Sequence, residues 1–262
     1  MRGCMTARAT TDASTLRLII PTESGNWRMG KTLAPQRVAV VTGGNRGLGL
    51  ELVRRLAELG MRVVLACRVA EHGRAAIERL GGLADRVAVR QLDVSDADSI
   101  AWLVTWLDRR LGRCDVLVNN ASVLLDDDVA AASVDLELVR RTLETNLFGM
   151  WQLVQAVTPL MRAGGYGRIV NISCGLAFIP RGASAYRVSK SAVNALTRVF
   201  ADELAGDGIL VNACCPVVSV DQPDGRGLAD PSMSADTPVW LATLPDDGPT
   251  GDFWRSRSPI DS

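Results

Sequence analysis

Tyr186 and Lys190, in Tyr186-Arg187-Val188-Ser189-Lys190, are the pair in this 262-residue chain best suited to moving a proton. On a helix they share a face, because positions i and i+4 lie one turn apart. A phenol ionises near pH 10, too high for a base at neutral pH. A neighbouring ammonium favours the phenolate, each unit of lowering corresponding to about 1.4 kcal/mol. Ser173, upstream of Tyr186, supplies a hydroxyl able to bond the oxygen that gains or loses the proton. An isolated Tyr and Lys at this spacing more often reads as a buried phenol beside a snorkelling lysine. The rest of the chain has to decide between the two.

The usual rivals are weak. The single histidine, His72, sits in a charged helical segment, which argues against a Ser/His/Asp triad, a histidine zinc site and histidine base catalysis. Six cysteines, at positions 4, 67, 114, 174, 214 and 215, include no CxxC pair and no metal-ligand spacing. Cys67, Cys114, Cys214 and Cys215 lie in apolar stretches, where a reduced cysteine packs as a small hydrophobe. That usage predicts a reducing compartment, the cytoplasm. Formal charge is zero, from 29 basic and 29 acidic side chains. Such a balance gives no electrostatic footprint for nucleic acid or anionic lipid. No apolar run has the length of a membrane span. A small molecule is the expected partner.

The elements that must position these residues begin after residue 35. Residues 1–35 have little periodicity and are expected to be a disordered extension, with Met29 a plausible natural start and 1–28 dispensable. From there, apolar strands at 37–41, 62–67, 86–92, 115–118, 168–172 and 210–215 alternate with helical patterns. The helices are predicted at 47–59, 70–80, 96–111 (capped by Ser95), 135–162 (broken near Thr158-Pro159) and 184–205. A short helix at 236–244 and an edge strand at 250–254 complete the pattern. Strands apolar throughout and separated by helices imply a parallel sheet covered on both faces. The predicted architecture is a single-domain α/β Rossmann fold over residues 36–262, doubly wound, with a Pro-, Asp- and Gly-rich substrate lid at 217–235.

The first turn reads Thr42-Gly43-Gly44-Asn45-Arg46-Gly47-Leu48-Gly49, between a strand and a helix, where glycines let the backbone approach a pyrophosphate seated on the helix N-terminus. The second strand ends at Cys67-Arg68. An acid there would bond the ribose 2′-hydroxyl of NAD, whereas an arginine accommodates the 2′-phosphate of NADP. Arg68, with Arg46 flanking from the turn, therefore favours NADP(H). Asp93-Val94 and Asn119-Asn120-Ala121 close the third and fourth strands, at the carboxyl ends where ligands bind in this fold. Asp93 reads equally well as a turn carboxylate.

Together the glycine turn, Asn119-Asn120-Ala121, Ser173 and the Tyr186/Lys190 pair resemble the short-chain dehydrogenase/reductase family over about residues 37–254. Segments 43–59, 212–216 and 237–250 look most like its carbonyl reductases. The resemblance implies a fourth catalytic residue, Asn146, holding a water that links the lysine to solvent. From the residues alone, Asn146 is a polar group interrupting a helix. It also implies that Lys190 bonds the nicotinamide ribose. The implied cofactor set is Gly43, Asn45, Arg46, Gly47, Leu48, Gly49, Arg68, Asp93, Val94, Asn120, Ala121, Tyr186, Lys190, Pro216 and Ser219. The expected reaction is reversible, NADPH-dependent reduction of an apolar ketone or aldehyde, by a monomer or homo-oligomer without metal, nucleic acid or membrane. Tyr186 would be the general acid/base and Ser173 would polarise the carbonyl. The alternatives are a non-redox enzyme of the same fold (cyclisation, elimination or epimerisation) and a silent NADP-binding regulator. Two positions depart from the family. Ser122 follows Ala121 and Val217 follows Pro216, each where glycine is usual; Ser219 stands in for the threonine expected beyond.

Overall fold

The computed structural model describes residues 18–21, 27–30, 36–175, 182–216 and 231–261. Within the segment expected to precede the domain, Leu18–Pro21 (β1) pairs antiparallel with Trp27–Gly30 (β2) as a small sheet of its own. The other residues before 36 lie outside the described ones.

Six strands then follow the sequence pattern closely: Val38–Thr42 (β3), Arg62–Cys67 (β4), Val87–Gln91 (β5), Val116–Asn119 (β6), Gly167–Ile172 (β7) and Ile209–Cys214 (β8). All pair in parallel. Phe253–Arg255 (β9) extends the sheet beside β8, and Ser258–Pro259 (β10) closes that edge antiparallel. The order across the sheet is β5-β4-β3-β6-β7-β8-β9-β10. Chain direction across the sheet reverses between β3 and β6, so a crevice opens beyond Thr42 and Asn119.

Both faces are covered, as uniformly apolar strands require. On one face lie Gly47–Glu58 (α1) and Ala70–Glu78 (α2), burying Leu52, Leu56 and Ala76 with β3, β4 and β6. On the other, Ala97–Leu111 (α3) packs Leu103 and Leu107 against β3, β6 and β7. The cap of α3 is Asp96, whose carboxylate accepts from Asp98 N, and not Ser95. Ser95 instead donates its N–H and hydroxyl to Asp93 Oδ1, at 3.0 and 2.6 Å. Two carboxylates in four residues compete for the cap, and the one nearer the helix takes it.

The helix predicted over 135–162 is interrupted elsewhere than at its proline. Leu136–Leu143 (α4) and Gly149–Gly164 (α5) are joined by a π turn over Glu144–Phe148. α5 runs through Pro159. The carbonyl that Pro159 deprives of a donor belongs to Gln155, which is exposed, so water can satisfy it. The last long helix, Ser184–Leu204 (α6), buries Val193, Leu196 and Phe200 in the same core as α5. Pro231–Ser234 (α7) and Asp236–Ala242 (α8) follow. No helix among the described residues is long and apolar enough to cross a membrane.

Candidate active site

The crevice at the β3/β6 reversal is braced by two side chains. Thr42 Oγ1 accepts from Asn120 N and Ala121 N, both at 2.9 Å. Asn120 Nδ2 returns bonds to Thr42 O at 2.9 Å and Gly43 O at 3.2 Å. Asn120 therefore ties the glycine turn to the end of β6. Glycine at 49 is obligatory there, since a Cβ would sit 2.2 Å from Gly43 O and 2.6 Å from Asn120 Nδ2. α1 opens at Gly47 with no acid in its first turn, leaving its N-terminal N–H groups and positive dipole end for an anion. Arg46 and Arg68 are exposed at the same crevice, and no carboxylate among the described residues pairs with either. Two uncommitted guanidiniums beside a helix N-terminus make a site for phosphate.

The Tyr186 helix is placed from a distance. Ala183, just before α6, has φ +51 and offers no side-chain cap. Buried Asp126 caps it in its stead, accepting from Ala185 N at 2.6 Å and Ser184 Oγ at 3.2 Å. That bond supplies the first-turn acceptor which α6 lacks in its own sequence. Tyr186 and Lys190 then follow on one face. Lys190 is 3% exposed, its Nζ donating to Ile172 O at 2.9 Å and lying 5.4 Å from the Tyr186 ring centroid. Ser173, at the end of β7, donates its hydroxyl to Lys190 O at 3.2 Å.

Burial governs the ionisation here. Desolvation pushes Tyr186 up to about 12, with nearby Cys174 adding to the rise and a hydrogen bond from Ser122 opposing it. Desolvation likewise pushes Lys190 down to about 8. Both groups are thus shifted toward neutrality. Burial, not the neighbouring ammonium, sets the direction of the Tyr186 shift.

Asn146 lies inside the π turn and is 3% exposed. Its Oδ1 accepts from Val123 N at 2.8 Å and Ser122 Oγ at 3.2 Å, while Nδ2 donates to Val123 O at 2.9 Å and Ser189 Oγ at 3.1 Å. The carboxamide thus joins the loop after β6 to the face of α6 that carries Tyr186. π turns recur at functional sites because they break the regular ladder.

One cavity of about 420 Å3 gathers most of the residues singled out above. Gly43, Asn45, Arg46, Gly47, Leu48, Gly49, Arg68, Asp93, Val94, Asn120, Ala121, Ser173, Tyr186 and Pro216 line it. Lys190 and Asn146 sit behind its wall, and Ser219 lies outside the described residues. Sequence reading missed Thr42, Asp126 and Ser122 as parts of the site. The signals were present, a threonine closing β3 and a serine replacing glycine, but their partners are distant in the chain. Trp240 and Trp254 pack edge to face on each other, ring centroids 4.9 Å apart, and neither lines the cavity.

A family model described as short chain dehydrogenase matches residues 37–221. The chain is 34% identical to carbonyl reductase (NADPH) 1 of Homo sapiens, across 82% of this chain and 95% of that protein. A metagenomic short-chain oxidoreductase solved in complex with NADP aligns with TM-score 0.72 at 33% identity, covering 82% of this chain and 93% of its own. A variant of actinorhodin polyketide ketoreductase solved with NADPH aligns with TM-score 0.75 at 31% identity, covering 83% and 94%. With the parallel sheet, its glycine turn and these matches over most of its length, the chain belongs to the short-chain dehydrogenase/reductase family.

Proposed function

We propose that this protein is an NADPH-dependent reductase of small carbonyl compounds, with Tyr186 as the proton donor. One observation supports the reading: Ser173 and Tyr186 line the same cavity as the glycine turn and the two unpaired arginines. The relatives named for NADPH-dependent carbonyl and ketone reduction point the same way. The residues fit the dinucleotide. The space that a Cβ at Gly49 would fill keeps the turn closed, and Arg46 and Arg68 suit an extra phosphate. Bound NADPH supplies the hydride.

The chain's own residues supply the rest. A phenol held at about 12 keeps its proton through neutral pH, so Tyr186 is a resident acid and donates to the carbonyl oxygen from Oη. Ser173 turns its hydroxyl from Lys190 O to that oxygen and polarises it. Lys190, charged below about pH 8, stabilises the negative charge that develops on Tyr186. The signs then fix a pH profile. Reduction should be flat on the acid side of 8 and fall above it, as Lys190 loses its charge while Tyr186 stays protonated. A kcat/KM series that rises with pH through 8 would remove Tyr186 from the role of acid. The segment 217–235 is proposed as a substrate lid on the domain 36–262. Its described end is anchored to α1, with Arg55 Nη2 donating to Ser232 O at 2.7 Å.

The test is a panel of aromatic, aliphatic and polyketide-like ketones and aldehydes, assayed for NADPH and NADH consumption. Stoichiometric NADPH oxidation with at least one member is expected, and product formation without it would indicate non-redox chemistry. Arg68→Asp should shift preference toward NADH by roughly tenfold or more, the scale of one charge-assisted bond exchanged for repulsion. An unchanged ratio of the two kcat/KM values would place the 2′-phosphate elsewhere.

A further inference from the structure

Cys174 and Cys215 are two nucleophilic side chains that the proposed chemistry leaves unused. Cys174 follows Ser173 just beyond β7, and Cys215 lies between β8 and Pro216. β7 and β8 pair in parallel with Ile172 opposite Cys214, so both cysteines come to the same end of the sheet. Both are free thiols, and their sulfurs lie 4.0 Å apart. Cys215 is buried in a small core with Ala213 and Phe253. Cys174 packs against that core and also lines the cavity. Cys214 adjoins Cys215 in the chain but belongs to the separate core that holds Val170, Leu241 and Trp254. Successive strand residues point to opposite faces, so the sulfur that Cys215 meets is the one 41 residues away.

We propose that Cys174 and Cys215 are a redox-modification site in the cavity wall, closed into a disulfide by hydrogen peroxide and reopened by a thiol, with turnover slowed while the bridge is closed. The bridge itself is independent of the proposed reductase activity, whereas its effect on turnover rests on that reading. A disulfide holds its sulfurs about 2.0 Å apart, so closure takes about 2 Å of sulfur movement. Neighbouring strands run about 4.8 Å apart, inside the range of Cα separations that a disulfide spans. Cys174 gives the pair its opening to the cavity. The hydrogen bond that the two sulfurs share draws the Cys215 thiol below its ordinary range, which favours the thiolate that this chemistry requires. In the first step one sulfur takes a peroxide oxygen: an S–O bond forms, the O–O bond breaks, and water leaves with that thiol's proton. The other sulfur then attacks it. The S–S bond forms, the S–O bond breaks, and a second water carries off the remaining thiol proton. Each sulfur loses one electron and the peroxide gains two. Ser173 adjoins the bridge, its N–H on Cys214 O at 2.8 Å and its hydroxyl on Lys190 O at 3.2 Å, so drawing Cys174 toward β8 displaces that hydroxyl.

The test treats the reduced full chain with excess hydrogen peroxide, blocks the remaining thiols with N-ethylmaleimide and maps the peptides without reduction. Trypsin, cutting after Arg168, Arg181, Arg198 and Arg226, leaves Cys174 in 169–181 and both Cys214 and Cys215 in 199–226. These two peptides should appear joined, and dithiothreitol should separate them. Cys214→Ala should still give the joined pair, whereas Cys174→Ala and Cys215→Ala should not. Carbonyl reduction by the treated protein should fall roughly tenfold or more, the scale of a misplaced catalytic group, and return with dithiothreitol. Cys174→Ala, compared with its own untreated rate, should lose little. A map that shows Cys174 only as the blocked thiol or the sulfinic acid overturns the proposal, as does a bridge to Cys214. A bridge that forms and leaves turnover unchanged overturns the effect on activity. If the untreated protein reduces no carbonyl compound, the functional reading fails, and the peptide map still decides the bridge.

Discussion

Tyr186→Phe is expected to lower kcat for carbonyl reduction by roughly a thousandfold, within the range lost when a positioned general acid is removed. The neighbouring groups do not take over. Ser173 is a weaker acid whose hydroxyl is bonded to Lys190 O at 3.2 Å, and Lys190 Nζ is turned toward Ile172 O at 2.9 Å. The phenylalanine ring fills the same half-buried space and only the hydroxyl is lost, so folding should change by no more than about 1 kcal/mol. NADPH affinity, measured by fluorescence, should stay within a factor of about two, since the ring persists and the glycine turn is untouched. A variant that binds NADPH normally and has lost turnover meets the expectation. Retained turnover would show that the proton comes from another group.

Gly49→Ala is expected to act on the other half of the site and nearly as severely. The new Cβ would meet Gly43 O at 2.2 Å, Gly43 C at 2.9 Å and Asn120 Nδ2 at 2.6 Å. Two of these atoms are backbone and the third is the amide that clamps the turn. The overlap cannot be relieved by a side chain turning away, so the turn must open and surrender the Asn120 bonds. Overpacking of this kind costs about 1–3 kcal/mol or more, a fall of several degrees in Tm for a chain this long. NADPH affinity should weaken roughly a hundredfold, about 2.7 kcal/mol. Gly47→Ala is the comparison. Nothing lies within 4 Å of its Cβ, and its φ of +51 costs only about 1 kcal/mol. A Gly49→Ala protein no worse than Gly47→Ala, in calorimetry and NADPH titration, would mean that the turn adapts and the close approach is not essential.

The relation between the two halves of the site was readable because each is a local pattern. A strand, a glycine turn and a helix are consecutive in residues 38–58, and Tyr186 and Lys190 share a helical face whatever surrounds them. Periodicity of apolar residues likewise located β3 to β8 within a residue or two, since uniformly apolar runs bounded by helices leave little freedom of assignment. These features depend on neighbours within one turn or one strand.

What the chain order conceals is contact between segments. Asp126 caps a helix that begins 58 residues later, and no local rule links them. The proline at 159 looks like the break, yet the interruption falls at Asn146, where the carboxamide is claimed by Val123 and Ser189. Ser122 reads as one more small residue until folding sets its hydroxyl on Asn146 Oδ1. Ionisation follows the same division. Sequence placed an ammonium one turn from a phenol and so predicted a lowered phenol. The folded chain desolvates both, and that burial, a sum over every element packed around α6, raises Tyr186 and lowers Lys190. The identity of the proton-transfer pair is a property of five consecutive residues, while its ionisation is a property of the fold that encloses it.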